Sequence, residues 1–191
     1  VGYIVPSSLG YIENEMPRMV MTPWFEEEVP FNMAAEVGTQ KVISEHSTIG
    51  IVITTDGSIS DIPRDEYEEC EERVISELKS INKPFVIVMN SADPYSRQTR
   101  ELTEQLSEKY ETPVVAVNCL ELSEDDIKNI MKELLFSFPV KEINISCPKW
   151  ITSLKKGNWL KDEIFTAIRE SVSSVQTLRD IQSAVEKMKE C

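Results

Sequence analysis

Asn90-Ser91-Ala92-Asp93 places an amide and a carboxylate three residues apart, directly behind five unbroken apolar residues, 85–89. Such groups read a polar ligand by hydrogen bonding, the amide as donor and acceptor and the carboxylate as acceptor. The apolar run, Phe-Val-Ile-Val-Met, shows no polar alternation. It therefore reads as a strand covered on both faces, the pattern of a parallel sheet flanked by helices. Ligands of open α/β sheets bind at the carboxyl ends of the strands, which makes residues 90–93 a candidate binding loop. An ordinary Asx turn ahead of Pro94 accounts for the same four residues without a ligand.

The elements that must position this loop follow from periodicity. Residues 49–55 form a second buried-type strand ending in the polar turn Asp56-Gly57-Ser58, and residues 114–117 a third, ending in Asn118-Cys119. Between them the spacing predicts helices over 31–46, 63–81 and 98–110. A fourth is capped by Ser123, its stripe running from Ile127 through Ile130, Leu134 and Phe138. Gly38 interrupts the first helix and destabilises it unless something packs close to it. Residues 1–5 read as the tail of a strand, and 142–147 as a short further strand. Strands alternating with helices at this spacing mean βαβ units and an α/β fold with a mostly parallel sheet. Residues 6–30 hold Gly10, Pro17, Pro23 and Pro30 among scattered aromatics. A loop that long is usually functional or disordered, and the aromatics point to an ordered lid or partner surface. Beyond Pro148 the character changes, and residues 158–189 read as one long amphipathic helix that needs a partner for its stripe.

Composition narrows the function. The chain has 191 residues, 41% of them hydrophobic, enough for one good core with an appendage. A net charge of −13 without a basic stripe argues against nucleic acid as a partner. The acidic runs 26–28 and 68–72 read as solvated faces. Cys70, Cys119, Cys147 and Cys191 are widely spaced, so a zinc site is not expected. The single histidine, His46, leaves no Ser-His-Asp set. Unpaired cysteines and the lack of a signal peptide point to a reducing, cytoplasmic setting. No apolar run reaches the ~20 residues of a membrane span. A chain beginning Val-Gly-Tyr reads as a fragment.

A P-loop nucleoside triphosphatase needs a G-x-x-x-x-G-K-[ST] phosphate cradle, and no such stretch occurs in the 191 residues. Two later signatures of the GTPase-like branch can be placed. Gly2 is a candidate for the glycine of Asp-x-x-Gly, whose Asp would precede Val1. Asn90 and Asp93 fit the first and fourth positions of the base-reading Asn-Lys-x-Asp motif, with Ser91 replacing the Lys. Asn118 stands where a second base-contacting loop would lie. Gly2, Asn90, Ser91, Asp93 and Asn118 are thus the candidate nucleotide-binding residues. No catalytic or metal-ligating residue is expected within the chain.

Residues 34–59, Ala-Ala-Glu-Val-Gly-Thr-Gln-Lys-Val-Ile-Ser-Glu-His-Ser-Thr-Ile-Gly-Ile-Val-Ile-Thr-Thr-Asp-Gly-Ser-Ile, closely resemble the stage IV sporulation protein A family. Pro17-Arg18-Met19, Thr22-Pro23-Trp24, Trp150 and Asn158-Trp159-Leu160 share the likeness. The resemblance implies a P-loop, GTPase-like (TRAFAC-type) sheet that uses ATP with Mg²⁺, here lacking its phosphate loop. Residues 1–140 would be the later part of that ATPase domain, and 141–191 the connector and first helix of a middle domain. It further implies hydrolysis-driven self-assembly into polymers of the spore-coat basement layer, in the mother-cell cytoplasm at the forespore outer membrane. The implied partners are other copies, a small amphipathic membrane-anchoring peptide and other coat proteins. Asp93 is typical of guanine reading, whereas the family uses ATP. A GTP-using relative and a structural coat protein with a vestigial nucleotide site are the alternatives.

Overall fold

The computed structural model describes residues 2–190. Val1, placed on the first strand by the sequence, and Cys191 lie outside them. In chain order the structure begins with two small hairpins, β1 (Ile12–Glu13) with β2 (Met16–Pro17) and β3 (Met19–Val20) with β4 (Val29–Pro30). Then come α1 (Phe31–Lys41), continued by a π-helical turn over Val42–His46, and β5 (Gly50–Thr55). They are followed by α2 (Asp65–Ser80), β6 (Phe85–Asn90), α3 (Arg97–Tyr110), β7 (Val114–Val117) and α4 (Glu124–Phe136). Three helices close the chain, α5 (Lys149–Ser153), α6 (Trp159–Ser173) and α7 (Leu178–Glu190). The chain packs as two compact units, residues 1–133 and 134–191.

In the first unit β5, β6 and β7 form a parallel sheet in that order, with Thr55 opposite Asn90 and Asn90 opposite Val117. The strands therefore end level, and their following loops meet at one rim. Both crossovers run the same way along the sheet. Ile75 and Leu78 of α2 and Leu106 and Tyr110 of α3 accordingly share one core with Val52, Ile87 and Met89. Side chains alternate across a strand, so Val86 and Val88 point to the opposite face, where they too are buried. β6 is thus apolar on both sides, as its unbroken run predicts.

β5 departs from its sequence reading. Ile51 and Ile53 are 46% and 66% exposed, so this strand is covered on one face only. An apolar run does not reveal whether both faces find partners, and β5 is an edge strand. Residues 2–5 form no strand either. Side chains of α1 and α2 instead hold this segment. Thr39 Oγ1 donates to the Gly2 carbonyl at 3.0 Å, the Tyr3 hydroxyl donates to Glu77, and Cys70 Sγ to the Ile4 carbonyl at 3.3 Å. Residues 6–30, expected as a long loop, carry the two hairpins β1–β2 and β3–β4. The Trp24 ring lies 3.1 Å from where a Cβ on Gly38 would stand, which explains a glycine inside α1.

The second unit holds two more corrections. Residues 142–147 form no strand, and Ile143 and Ile145 stay exposed. The expected single helix over 158–189 is two. Its break is built by Thr177-x-x-Asp180, in which Asp180 accepts from the backbone N–H of Gln176 and Thr177 and from the Thr177 hydroxyl. This is a helix start inside an otherwise continuous apolar period. Val140 N–H donates to the Gln176 carbonyl and Leu178 N–H to the Phe138 carbonyl, fixing the turn against residues 138–140.

Candidate functional site

The rim begins with Asn90, the last residue of β6. Its Oδ1 accepts from the Cys119 N–H at 3.0 Å, joining the loop after β6 to the loop after β7. Asn118 shapes that second loop from within, its Oδ1 accepting from Leu120 N–H at 3.0 Å. Asp93 closes an Asx turn by accepting from Tyr95 N–H at 3.2 Å.

Ser91 is only 1% exposed. Its Oγ accepts from Asp93 N–H at 3.1 Å and lies 3.2 Å from Thr99 Oγ1 in α3. The hydroxyl therefore supports the loop from beneath and does not take the place of a side chain lying along a ligand.

The structure does not bring Gly2 to this rim. Gly2 rests on Thr39 and its neighbour Tyr3 on Glu77, near the end of α2 that leads into the amino end of β6. The carboxyl end of β6, with Asn90, is the other end of the strand. The physical reason is the missing strand pairing of residues 2–5, which leaves side-chain anchors on α1 and α2 to place the segment.

A third set of groups belongs to the loop after β5, the polar turn 56–58 that the sequence marks but does not place among its candidate binding residues. Ser58 Oγ accepts from Ala92 N–H at 2.9 Å, tying this loop to the one after β6. Thr99 Oγ1 lies 3.1 Å from both Asp56 Oδ2 and the Asp93 carbonyl. Partial burial works against charge on Asp56, but hydrogen bonds from Ser58, Ser91 and Thr99 outweigh it and hold the carboxyl below the usual carboxylate range. Gly57 makes the turn with φ +89°, and a Cβ there would stand 3.2 Å from the Arg64 backbone nitrogen. The cues available in sequence were the Asp-x-Ser turn and the Ser96-x-x-Thr99 helix cap, both of which also serve ordinary loops.

Two depressions open on this rim. One, of about 500 Å³, lies among Asp56, Ser58, Asp93, Gln98 and Thr99. The other, of about 390 Å³, is a groove between the loops after β6 and β7, lined by Asp93, Tyr95, Asn118, Glu121 and Asp126 among others. Both fall in the size range of small-molecule sites. Ser123 and Asp126 cap α4 reciprocally, and these hydrogen bonds hold the Asp126 carboxyl below its usual range. The groove thus presents carboxylate and amide acceptors. It suits a neutral ring bearing N–H donors and repels phosphate. Among the described residues no group of three or more His, Cys, Asp and Glu could hold a metal ion.

Parallel strands alternating with helices, their polar loops gathered at one rim around a groove, make an α/β domain consistent with a P-loop-like ATPase domain. The chain matches the family described as "Stage IV sporulation protein A, ATPase domain" over residues 1–139 and "Stage IV sporulation protein A, middle domain" over residues 140–191. It belongs to the stage IV sporulation protein A family, a sporulation family with an ATPase domain. Curated relatives named stage IV sporulation protein A include one from Bacillus anthracis, 49% identical over 97% of this chain. Others from Bacillus subtilis and Clostridioides difficile are 47% and 46% identical over the whole of it. The chain spans 38–39% of the length of these relatives. No solved structure matches it. Among the described residues no helix is long and apolar enough to cross a membrane.

Proposed function

We propose that this chain is the base-binding half of an ATPase whose turnover drives self-assembly of the spore-coat basement layer. The observation that supports this reading is the rim itself. Asn90 and Asp93 follow a parallel strand, Asn90 is bonded across to the Asn118 loop, and the groove between them is rich in acceptors. Adenine carries an exocyclic amine that such acceptors can bind, and the acidic lining leaves the phosphates to residues outside this groove. Residues 1–140 act as the later part of the nucleotide-binding domain and 141–191 open the middle domain. Mg²⁺ would accompany the phosphates. The assembled protein lies in the mother-cell cytoplasm against the forespore outer membrane, with other copies, a small amphipathic anchoring peptide and other coat proteins as partners.

The test uses the full-length protein. ATP hydrolysis and polymer yield, the latter by sedimentation, are measured with ATP, with GTP and without nucleotide. The reading expects turnover with ATP and a polymer yield that depends on it. Polymer formation indifferent to nucleotide would overturn it in favour of a structural protein with a vestigial site. Faster turnover and assembly with GTP would reassign the base.

A further inference from the structure

The groove beside Asp93 contains an aromatic side chain that the fold does not use. Tyr95 is 73% exposed and lines the groove together with Asp93 and Asn118. Its backbone is fixed on both sides. Tyr95 N–H donates to Asp93 Oδ1 at 3.2 Å, and the next residue, Ser96, caps α3 by accepting from Thr99 N–H at 3.1 Å. Pro94 before it restricts the turn further.

The ordinary structural role for an apolar residue at this position is a hydrophobic staple, in which the residue before the cap packs on the fourth residue of the helix. Here that fourth residue is Arg100, which is exposed and charged. A staple partner is therefore missing. The cation–π contacts of the described residues engage Tyr3 and Tyr110, not Tyr95. A large ring held on a rigid turn, exposed, and bordering a groove of about 390 Å³ is arranged as a stacking platform.

We infer that Tyr95 stacks on the nucleotide base in the groove between the loops after β6 and β7. This rests on the base-binding reading above. Stacking on an aromatic face tolerates every base, so Tyr95 supplies affinity, while the acceptors of Asp93 and its neighbours choose the base. It also compensates for Ser91, whose buried hydroxyl offers nothing to lie along a ring.

Equilibrium binding of ATP, GTP and inorganic triphosphate to the full-length protein tests this. Tyr95→Ala raises the Kd for ATP and for GTP by about 5- to 150-fold, the worth of one base–aromatic stack, and leaves that for triphosphate unchanged. Tyr95→Phe binds all three within about threefold of the parent, since the ring and not the hydroxyl is needed. Unchanged ATP affinity in Tyr95→Ala overturns the inference while leaving the groove intact as a site. An equal loss for triphosphate also overturns it, since the residue would then act on the fold. A parent protein that binds no nucleotide overturns the groove reading and this inference together.

Discussion

Glu71→Ala should strongly destabilise the first unit, because Glu71 is the buried acceptor of a network joining α2, α3 and β5. Arg64 Nη2 lies 2.8 Å from Glu71 Oε1, and the two side chains are 15% and 2% exposed. Arg64 Nη1 donates to Thr54 Oγ1 at 3.0 Å, and the Tyr110 hydroxyl donates to Glu71 Oε1 at 2.8 Å. Arg64 Nε and Glu71 Oε2 are buried with no hydrogen-bond partner, so the pair is already imperfectly compensated. Removing one partner of a buried pair costs about 3–5 kcal/mol, because the other charge remains desolvated. At roughly 3 °C per kcal/mol for a domain of this size, the melting temperature should fall by about 10–15 °C. Replacing both partners by apolar residues of similar volume is often neutral, so Arg64→Met with Glu71→Leu should return to within about 1–2 kcal/mol of the parent. Urea and thermal denaturation followed by circular dichroism read both variants. A Glu71→Ala protein within about 1 kcal/mol of the parent would refute the reasoning, since it would mean that Arg64 reaches water without its partner.

Four further outcomes follow from the same structure. Asn90→Ala removes the acceptor for Cys119 N–H, and should lower stability by about 1 kcal/mol while loosening ATP binding, measured by calorimetry on the full-length protein. The Asp56 carboxyl is held below its usual range, so its contribution is present above about pH 4 and is lost as pH falls through the folded value. Denaturation midpoints of Asp56→Asn against pH should therefore lack part of the acid loss of the parent. At the alkaline end, burial and the Glu71 contact push the Tyr110 hydroxyl from 10.0 up to about 12. Stability from this group is complete below pH 10 and lost as pH rises towards 12, a limb that Tyr110→Phe should remove. Finally, Ile87→Ala, at a fully buried position, should cost about 2–5 kcal/mol, against less than about 1 kcal/mol for Ile53→Ala at the open edge of β5.

Local pattern carried most of the sheet. The run 85–89 and its polar stop announced β6 and the loop behind it, and Ser123 announced α4. What escaped the sequence depends on distant neighbours. Gly50-Ile51-Val52-Ile53 reads as apolar as β6 does, yet only contact with other elements decides that Ile53 faces outwards. Gly2 is a candidate only through the Asp-x-x-Gly signature, whereas the contacts that hold this segment, Thr39 on Gly2 and Glu77 on Tyr3, span 37 and 74 residues of the chain. The break before α7 was readable in Thr177-x-x-Asp180, but the continuing apolar period of the flanking residues masked it. At the rim, Asn90 is legible because it ends a strand, and Asp93 and Asn118 because they stand in the polar loops that follow strands. Tyr95 and Thr99 are not, and Ser58 only as part of a polar turn, since a hydroxyl or ring gains a role there only from what the fold sets beside it.

Hydrogen exchange of the full-length protein with and without saturating ATP locates the base most directly. Binding in the groove slows exchange of backbone amides in both 92–96 and 118–123, on opposite walls of one site. Protection elsewhere, with both of these segments exchanging as fast as in the free protein, would place the nucleotide away from this rim and contradict the reading built on it.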